Sequence, residues 1–228
     1  MSDFPWRTIA IHRAYDNTLP YWSKYRQIMD AVVAFLAPAQ RILDAGCGTG
    51  VLAEHLAEAG AWVEGVDLSQ DMISVARERS FNHGWRLNFR VANASRLPFR
   101  DATFDGVVSV NVLFAVASPT AYLSELRRVL VRGGRLVLCG PTPAAAQRVE
   151  LLVEDLRREL ESSARASLVQ EELAIVTAAN RAMAAKGFGW TYSATAMSEM
   201  LAGLGFEVKT QHECFYGAAL FFIEALKA

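Results

Sequence analysis

A run of glycines directly after a short apolar segment is the first feature of this chain that suggests chemistry. Gly46, Gly48 and Gly50 follow Asp44 at the end of the apolar run that begins at Ile42, and a helical pattern comes after them. Glycine lets the backbone turn sharply and lets a bound molecule approach the N-terminal end of a helix. The loop therefore predicts a binding site, although a tight strand-to-helix turn can use the same glycines without any ligand.

An acidic residue ends the next apolar run, about twenty residues further on, where nucleotide-binding folds often hold a ribose. This residue is Asp67, and its carboxylate could accept hydrogen bonds from a ribose diol. Leu68 follows, and Met72 lies in a helix that Ser69 could cap, where its side chain could cover one face of an adenine. A helix cap for Asp67 and core packing for Met72 are the alternatives.

These residues lie at the ends of short apolar runs that alternate with helical patterns. Such alternation is typical of an α/β protein whose parallel sheet is covered by helices on both faces. The runs that we interpret as strands are 41–45, 62–66, 88–91, 105–110 and 135–139, with helices between them at 50–59, 69–80 and 118–131.

The remaining segments complete what we predict to be a single domain of 228 residues. A lid at 1–38, with a helix at 21–36, precedes the core at 39–142. A helical stretch at 144–185 is interpreted as a cap inserted at 143–193. The closing segment, 194–228, holds a helix at 194–204 and two β-like runs, 206–214 and 218–225, which suit an antiparallel pair.

Five elements in this order resemble the class I S-adenosylmethionine-dependent methyltransferases, in the small-molecule branch that is methyltransferase type 11-like. The segments that carry the similarity are 44–50, the strand end at Asp67, 92–99, 104–105 and 130–138. The resemblance implies a Rossmann-like, doubly wound sheet of seven strands in the order 3-2-1-4-5-7-6, one of them antiparallel. It also implies that S-adenosylmethionine lies along the carboxyl ends of the strands and leaves as S-adenosylhomocysteine.

The resemblance also implies a role for each matching residue. The loop 46–50 would pack against the methionine and ribose parts of the cofactor, Asp44 would hold its amino group, and Asp67 would bind the ribose hydroxyls. Asn93 departs from the family, which usually has Asp there for the adenine, so this contact keeps an amide oxygen but loses a charge. The predicted cofactor-binding residues are Asp44, Gly46, Cys47, Gly48, Gly50, Asp67, Leu68, Met72, Asn93, Ala94, Ser95 and Asn111.

Methyl transfer requires no fixed catalytic motif, because the protein mainly excludes water and holds the acceptor in line with the methyl group. Many small-molecule relatives have a pair of histidines after the fourth strand, but here residues 112–116 are apolar. His12 and His212 are the remaining candidates for a general base. Without a base, an acceptor that ionises easily or is already nucleophilic is favoured, such as a phenol, an enol, a thiol, a carboxylate or a ring nitrogen.

Aromatic residues are concentrated in the two segments that would overhang the strand ends. Such clusters predict a mostly apolar, lidded pocket for the acceptor, and simple packing of the lid on the core is the alternative. The residues that we predict to contact the acceptor are Tyr15, Tyr21, Trp22, Tyr25 and Trp190.

Composition narrows the class of partner. The formal net charge of −1 gives no field that would attract nucleic acid or an anionic membrane. Three scattered cysteines favour neither a disulfide framework nor a zinc site, so we expect no metal and a reducing, cytoplasmic compartment. No apolar run approaches a membrane span or a signal peptide. We therefore predict a small-molecule substrate and a monomer or homodimer.

Three other functions compete with small-molecule methyl transfer. The same fold could serve a non-methylating role, as a cyclase or a non-catalytic subunit, and the missing histidine pair and Asn93 keep this alternative open. A nicotinamide-dependent oxidoreductase is disfavoured because its glycine fingerprint needs glycine where this chain has Val51. A nucleic-acid methyltransferase is disfavoured by the charge balance and by the lack of an Asn-Pro-Pro-Tyr-like motif after the fourth strand.

Overall fold

Seven strands form one sheet in a computed structural model that describes residues 8–81, 84–163, 166–167, 169–214 and 218–228. The sheet order is β3-β2-β1-β4-β5-β7-β6, with β7 antiparallel to both of its neighbours and the other pairs parallel. The predicted fold class is thereby confirmed. The strands are β1 (Arg41–Ala45), β2 (Trp62–Asp67), β3 (Leu87–Val91), β4 (Phe104–Val110), β5 (Leu130–Pro141), β6 (Phe206–Cys214) and β7 (Leu220–Lys227).

Helices cover both faces of the sheet and extend beyond its carboxyl edge. Serine side chains cap three of them: Ser69, Ser118 and Ser193 each accept a hydrogen bond from a backbone N–H of the first turn. The helices are α1 (Ile9–Thr18), α2 (Ser23–Leu36), α3 (Val51–Glu58), α4 (Gln70–Ser80), α5 (Pro119–Val129), α6 (Val149–Glu161), α7 (Gln170–Lys186) and α8 (Ala194–Gly203), with 3₁₀ turns at Leu19–Tyr21, Leu113–Ala115 and Ala146–Arg148.

The core has three parts. One apolar cluster packs α5 and α8 on one face of the sheet, and a second packs α2, α3 and α4 on the other face. A third, which we call the lid–cap cluster, joins α1, α6 and α7. Its buried residues are Ala14, Tyr15, Trp22, Leu156, Leu160, Val169, Leu173, Val176 and Ala179. The helices α1, α6 and α7 therefore bury apolar surface against each other, whereas α2, which also belongs to the predicted lid, packs on the sheet.

The structure differs from the sequence-based elements at three boundaries. The first predicted helix begins at Ser23 rather than at residue 21, because Pro20 lies in a preceding 3₁₀ turn. The helix before β5 ends at Val129, and β5 begins at Leu130, five residues early. Its register against β4 shifts where Gly133 takes a positive φ of 73°. The helical stretch predicted at 144–185 holds two helices, α6 and α7.

The division into a lid at 1–38, a core, a cap at 143–193 and a closing segment stays an interpretation. Residues 1–7 of that lid lie outside the described residues. Within the described part of the chain, no helix is both long and apolar enough to cross a membrane.

Candidate functional site

The glycine loop connects β1 to α3 at the carboxyl edge of the sheet. The N–H groups of Gly46 and Cys47 donate to the Val66 carbonyl at 2.7 and 2.9 Å, which ties the loop to the end of β2. Gly46, Gly48 and Gly50 have φ values of 83°, 55° and 84°, in the left-handed region that favours glycine. The loop therefore needs its glycines for conformation, whatever else they do.

The three glycines differ in what a side chain would meet. A Cβ at Gly46 would overlap Val112, and one at Gly50 would overlap Phe89, so both positions are closed by packing. A Cβ at Gly48 would meet only the Met72 sulfur, at 3.9 Å. Gly48 lines a cavity, and a side chain there would occupy space that a ligand could otherwise use.

Asp67 at the end of β2 is held by backbone donors. Gly48 N–H donates to Oδ2 at 3.0 Å, and Ser69 N–H donates to Oδ1 at 2.8 Å. Burial raises the pKa of Asp67, and these N–H bonds and the proximity of His12 oppose that rise. Each carboxylate oxygen has a second lone pair, so the group can accept further hydrogen bonds from a molecule in the cavity.

Asp44 lies behind the loop and is only 2 % exposed. Its Oδ2 has no hydrogen-bond partner among the described residues. Burial raises the pKa of this carboxyl to about 7, and the charge of Asp67 adds to the rise. A buried carboxylate without a full set of partners is costly, so this site favours the approach of a cationic group or a proton.

Two asparagines mark other strand ends. Asn93 follows β3, and its Oδ1 accepts a hydrogen bond from Ser95 N–H at 2.9 Å, so the predicted adenine-binding oxygen already closes a local turn. Its amide hydrogens and a second lone pair remain. Asn111 follows β4 with a φ of 57°, and its N–H donates to the Cys139 carbonyl at 2.8 Å. Asparagine tolerates this backbone conformation better than most residues, so Asn111 serves the turn and also lines the cavity.

One cavity of about 470 Å³ brings most of the predicted cofactor-binding residues together. Asp44 and Gly50 lie outside its lining. Burial first, and then the charges of Asp44 and Asp67, raise the pKa of the Cys47 thiol, which makes it a wall residue rather than a nucleophile. The predicted residues in the lining are Gly46, Cys47, Gly48, Asp67, Leu68, Met72, Asn93, Ala94, Ser95 and Asn111.

The same cavity continues between the lid and the cap. Tyr15, Trp22 and Tyr25 line it, as expected of acceptor-contacting residues. Tyr21 and Trp190 do not; they are 39 % and 45 % exposed. The Trp190 indole N–H instead donates to the Val116 carbonyl at 3.0 Å, so this residue binds the segment after β4.

The cap contributes wall residues that the sequence analysis did not single out. These positions recur three or four residues apart on α6 and α7, a spacing that places them on one face of each helix. The pattern indicates an apolar face, but it does not say which surface that face covers. The wall residues of this kind are Arg148, Leu152, Leu156, Val176, Asn180 and Met183, and the cap residues Ala145, Val149 and Phe188 also line the cavity.

Neither candidate base lies in the cavity wall. His12 is buried in α1, outside the lining. His212 is on the exposed edge strand β6, where its ring lies 5.3 Å from that of Phe222. Among the described residues, no histidine lines the cavity, and no group of three or more His, Cys, Asp or Glu side chains could hold a metal ion.

Comparison with known proteins matches this arrangement to one family. The family model described as "Methyltransferase domain" matches residues 43–138, from β1 to β5. A crystal structure of magnesium protoporphyrin IX methyltransferase from Synechocystis PCC 6803, with bound SAH, superposes with a TM-score of 0.66. That superposition covers 96 % of this chain and 93 % of that one at 20 % identity, so it supports the fold alone.

Two curated relatives have a higher sequence identity to this chain than that structure has. The ubiquinone biosynthesis O-methyltransferase of Xanthomonas axonopodis pv. citri (strain 306) is 38 % identical over 51 % of each chain, so this chain spans about half of its length. The demethylmenaquinone methyltransferase of Mycobacterium sp. (strain KMS) is 38 % identical over 163 residues, which are 69 % of this chain and 68 % of the relative. On this similarity, the chain belongs to the methyltransferase domain family.

Proposed function

We propose that this protein transfers a methyl group from S-adenosylmethionine to an apolar small molecule of the phenol or hydroquinone type. The observation that carries the proposal is that one cavity has two ends that differ in chemistry. One end has the loop and carboxylate chemistry of a nucleotide site, and the other is walled by the aromatic and aliphatic side chains of lid and cap. The names of the relatives, which act in menaquinone and ubiquinone methylation, support the same class of acceptor.

The residues at the carboxyl edge fit S-adenosylmethionine. Asp67 has lone pairs left for two ribose hydroxyls, and Gly48, which has no side chain, leaves space in the cavity for the bound cofactor. The unpartnered Oδ2 of Asp44 suits a nearby ammonium group. Leu68 and Met72 offer apolar contact to the adenine, and the segment 93–95 lines the same cavity. When bound, the cofactor supplies a methyl group already activated by its sulfonium.

The chain's own part is to exclude water and to orient the acceptor. The lid–cap cluster closes one side of the cavity, so the acceptor would lie in a poorly hydrated space. Burial raises the pKa of Tyr15 and of Tyr25 above its ordinary range, so both hydroxyls keep their protons at neutral pH and cannot act as bases. An acceptor that ionises easily, such as a hydroquinone, needs less help from a base.

A two-part experiment tests the proposal. Calorimetric titration with S-adenosylmethionine, S-adenosylhomocysteine and NADH establishes the cofactor. Labelled S-adenosylmethionine is then incubated with the protein and with naphthohydroquinone, kept reduced under argon. We expect micromolar binding of the first two compounds, none of NADH, and label in the aromatic product. Binding of NADH alone would contradict the cofactor assignment, and cofactor binding without labelled product would contradict the acceptor class.

A further inference from the structure

The cavity wall formed by lid and cap is mostly apolar, but it holds the charged residues Lys24 and Arg148 and one pair of uncharged polar side chains. Leu19 and Trp22 come from the lid side, and Leu156, Val176 and Met183 from the cap. Among them, Tyr15 of α1 and Asn180 of α7 also line the cavity. Burial raises the pKa of Tyr15, and the nearby side chain of Asn180 opposes that rise, so the two polar groups lie close together. A polar pair in such a wall needs a physical reason, because buried amides are costly unless their hydrogen bonds are made.

Counting hydrogen bonds at Asn180 shows unused capacity. An amide side chain has two N–H donors and two lone pairs on its oxygen. One N–H donates to the Val176 carbonyl at 2.9 Å, within α7. The nearby Tyr15 hydroxyl can take up at most one further site of the amide, either one lone pair or the second N–H. In both cases Oδ1 keeps a lone pair for a further donor.

We propose that Asn180 is a specificity residue that accepts a hydrogen bond from a hydroxyl of the methyl acceptor, and that Tyr15 is a positioning residue that orients the amide. This inference rests on the proposed function, because it assigns the apolar end of the cavity to the acceptor. The ligand that fits has a flat or bulky apolar body and one hydroxyl. An analogue without the hydroxyl leaves the amide oxygen unsatisfied, and such a site discriminates strongly against it.

A purely structural role for Asn180 would tie the lid to the cap and nothing more. The chain offers a matched control for that role in Asn17, whose Nδ2 donates to Glu172 Oε1 at 3.1 Å between the same two helices. Asn17 lies outside the cavity lining. Asn17→Leu therefore removes a lid–cap hydrogen bond without changing the cavity wall, and Asn180→Leu removes a polar side chain from within that wall.

The test measures binding of two probes that differ in one group, β-naphthol and β-methylnaphthalene. Calorimetry with and without saturating S-adenosylhomocysteine gives the ratio of their dissociation constants for wild type, Asn180→Leu and Asn17→Leu. We expect Asn180→Leu to reduce the preference for the naphthol by about three- to tenfold, the loss of one neutral hydrogen bond. Asn17→Leu should leave the ratio unchanged, and Tyr15→Phe should reduce it by less than Asn180→Leu.

An unchanged ratio in Asn180→Leu would overturn the proposal, and so would equal effects of the two leucine variants or a wild type that binds neither probe. If Asn180→Leu does not fold, Asn180→Ser gives the same comparison with a shorter side chain that cannot reach the same ligand atom. Since no methyl transfer is measured, failure of the transferase assay leaves this result interpretable. Conversely, a wild-type protein that transfers methyl groups but does not prefer the naphthol would contradict only the role of Asn180.

Discussion

Asp67 is the residue on which cofactor binding should depend most. Two backbone N–H groups fix its carboxylate, and its remaining lone pairs face the cavity. Asp67→Ala should weaken S-adenosylmethionine binding by about 1.5–3 kcal/mol, the usual range for hydrogen bonds to a charged group, which is roughly ten- to 150-fold in the dissociation constant. Calorimetry measures it directly.

The matched control for Asp67→Ala is Asp71→Ala. Asp71 is an exposed carboxylate in the first turn of α4, outside the cavity lining. Along the sequence, Asp71 is nearly as close to the glycine loop as Asp67 is, and it carries the same charge. Equal affinity losses in the two variants would mean that general charge near the site, rather than contact with Asp67, governs binding.

In the absence of cofactor, Asp44 should make the stability of the folded protein depend on pH. Its pKa rises from 3.8 to about 7 on folding, through burial and the charge of Asp67, so the folded state binds this proton more tightly than the unfolded state. The stability from Asp44 is then fully present below about pH 4 and is lost as the pH rises through about 7. Tm measured across this range should fall more in wild type than in Asp44→Asn.

Parallel Tm curves for wild type and Asp44→Asn would contradict the raised pKa. Asp67, whose pKa is also raised by burial, contributes in the same direction in both proteins and so does not produce the difference. Saturating S-adenosylhomocysteine should reduce the difference, because a nearby ammonium group favours the ionised carboxylate.

At the scale of elements, two arginine pairs join the lid helix α1 to the core, and the pair made by Arg79 is the more buried. Arg79 of α4 donates to Asp16 of α1 at 2.7 Å and to Glu54 of α3, and both acids are largely buried. Arg79→Met would leave two acidic side chains facing each other with little solvent. We expect it to lower the free energy of unfolding by about 1–3 kcal/mol, less than the loss typical of a fully buried pair, and to speed release of S-adenosylhomocysteine.

The control for Arg79→Met is Arg13→Met. Arg13 pairs with Glu78 between the same two helices at 3.2 Å, but both side chains are more than half exposed. Exposed pairs contribute about 0–1 kcal/mol, so this variant should unfold and release the product nearly as wild type does. Stopped-flow release and thermal melts together would contradict the fastening role if both variants behaved alike.

The strands of the sheet could be predicted from the sequence, and the cap wall could not. β1, β2 and β4 are short apolar runs with a predicted binding residue at or just past the end, so the pattern around Asp44 and Asp67 indicated both the strand and the point where it ends. The faces of α6 and α7 are amphipathic, but periodicity does not identify the partner surface. Burial of His12 and exposure of His212 likewise depend on packing between segments distant in sequence.

Local conformation explains the smaller differences. The sequence run through Leu130 continues the helical pattern of α5, and only pairing with β4 extends β5 back to that residue. The family pattern predicts that Asn93 presents its side-chain oxygen to an adenine, yet this oxygen already accepts a hydrogen bond from the N–H of Ser95. Short-range hydrogen bonds of asparagine are common and compete with the ligand contacts that a family pattern implies.

At the scale of the whole molecule, the separate lid–cap cluster predicts that lid and cap open together. The apolar residues of α1, α6 and α7 pack mainly on each other, and polar pairs such as Arg79–Asp16 hold α1 to the core. Leu160 of α6 belongs to this cluster, is 1 % exposed and lies outside the cavity lining. Leu160→Ala should therefore weaken the cluster by about 2–5 kcal/mol without touching a ligand.

Hydrogen exchange followed by mass spectrometry distinguishes joint opening from local damage in Leu160→Ala. Joint opening predicts faster exchange in α1 and α7 as well as in α6, with β1 and β4 as protected as in wild type, because cooperative units lose protection together. Leu126→Ala, in the cluster between α5 and the sheet, should instead lower protection across the strands. Faster exchange confined to α6 would show that the lid moves independently of the cap, and substrate entry would then need only the lid to open.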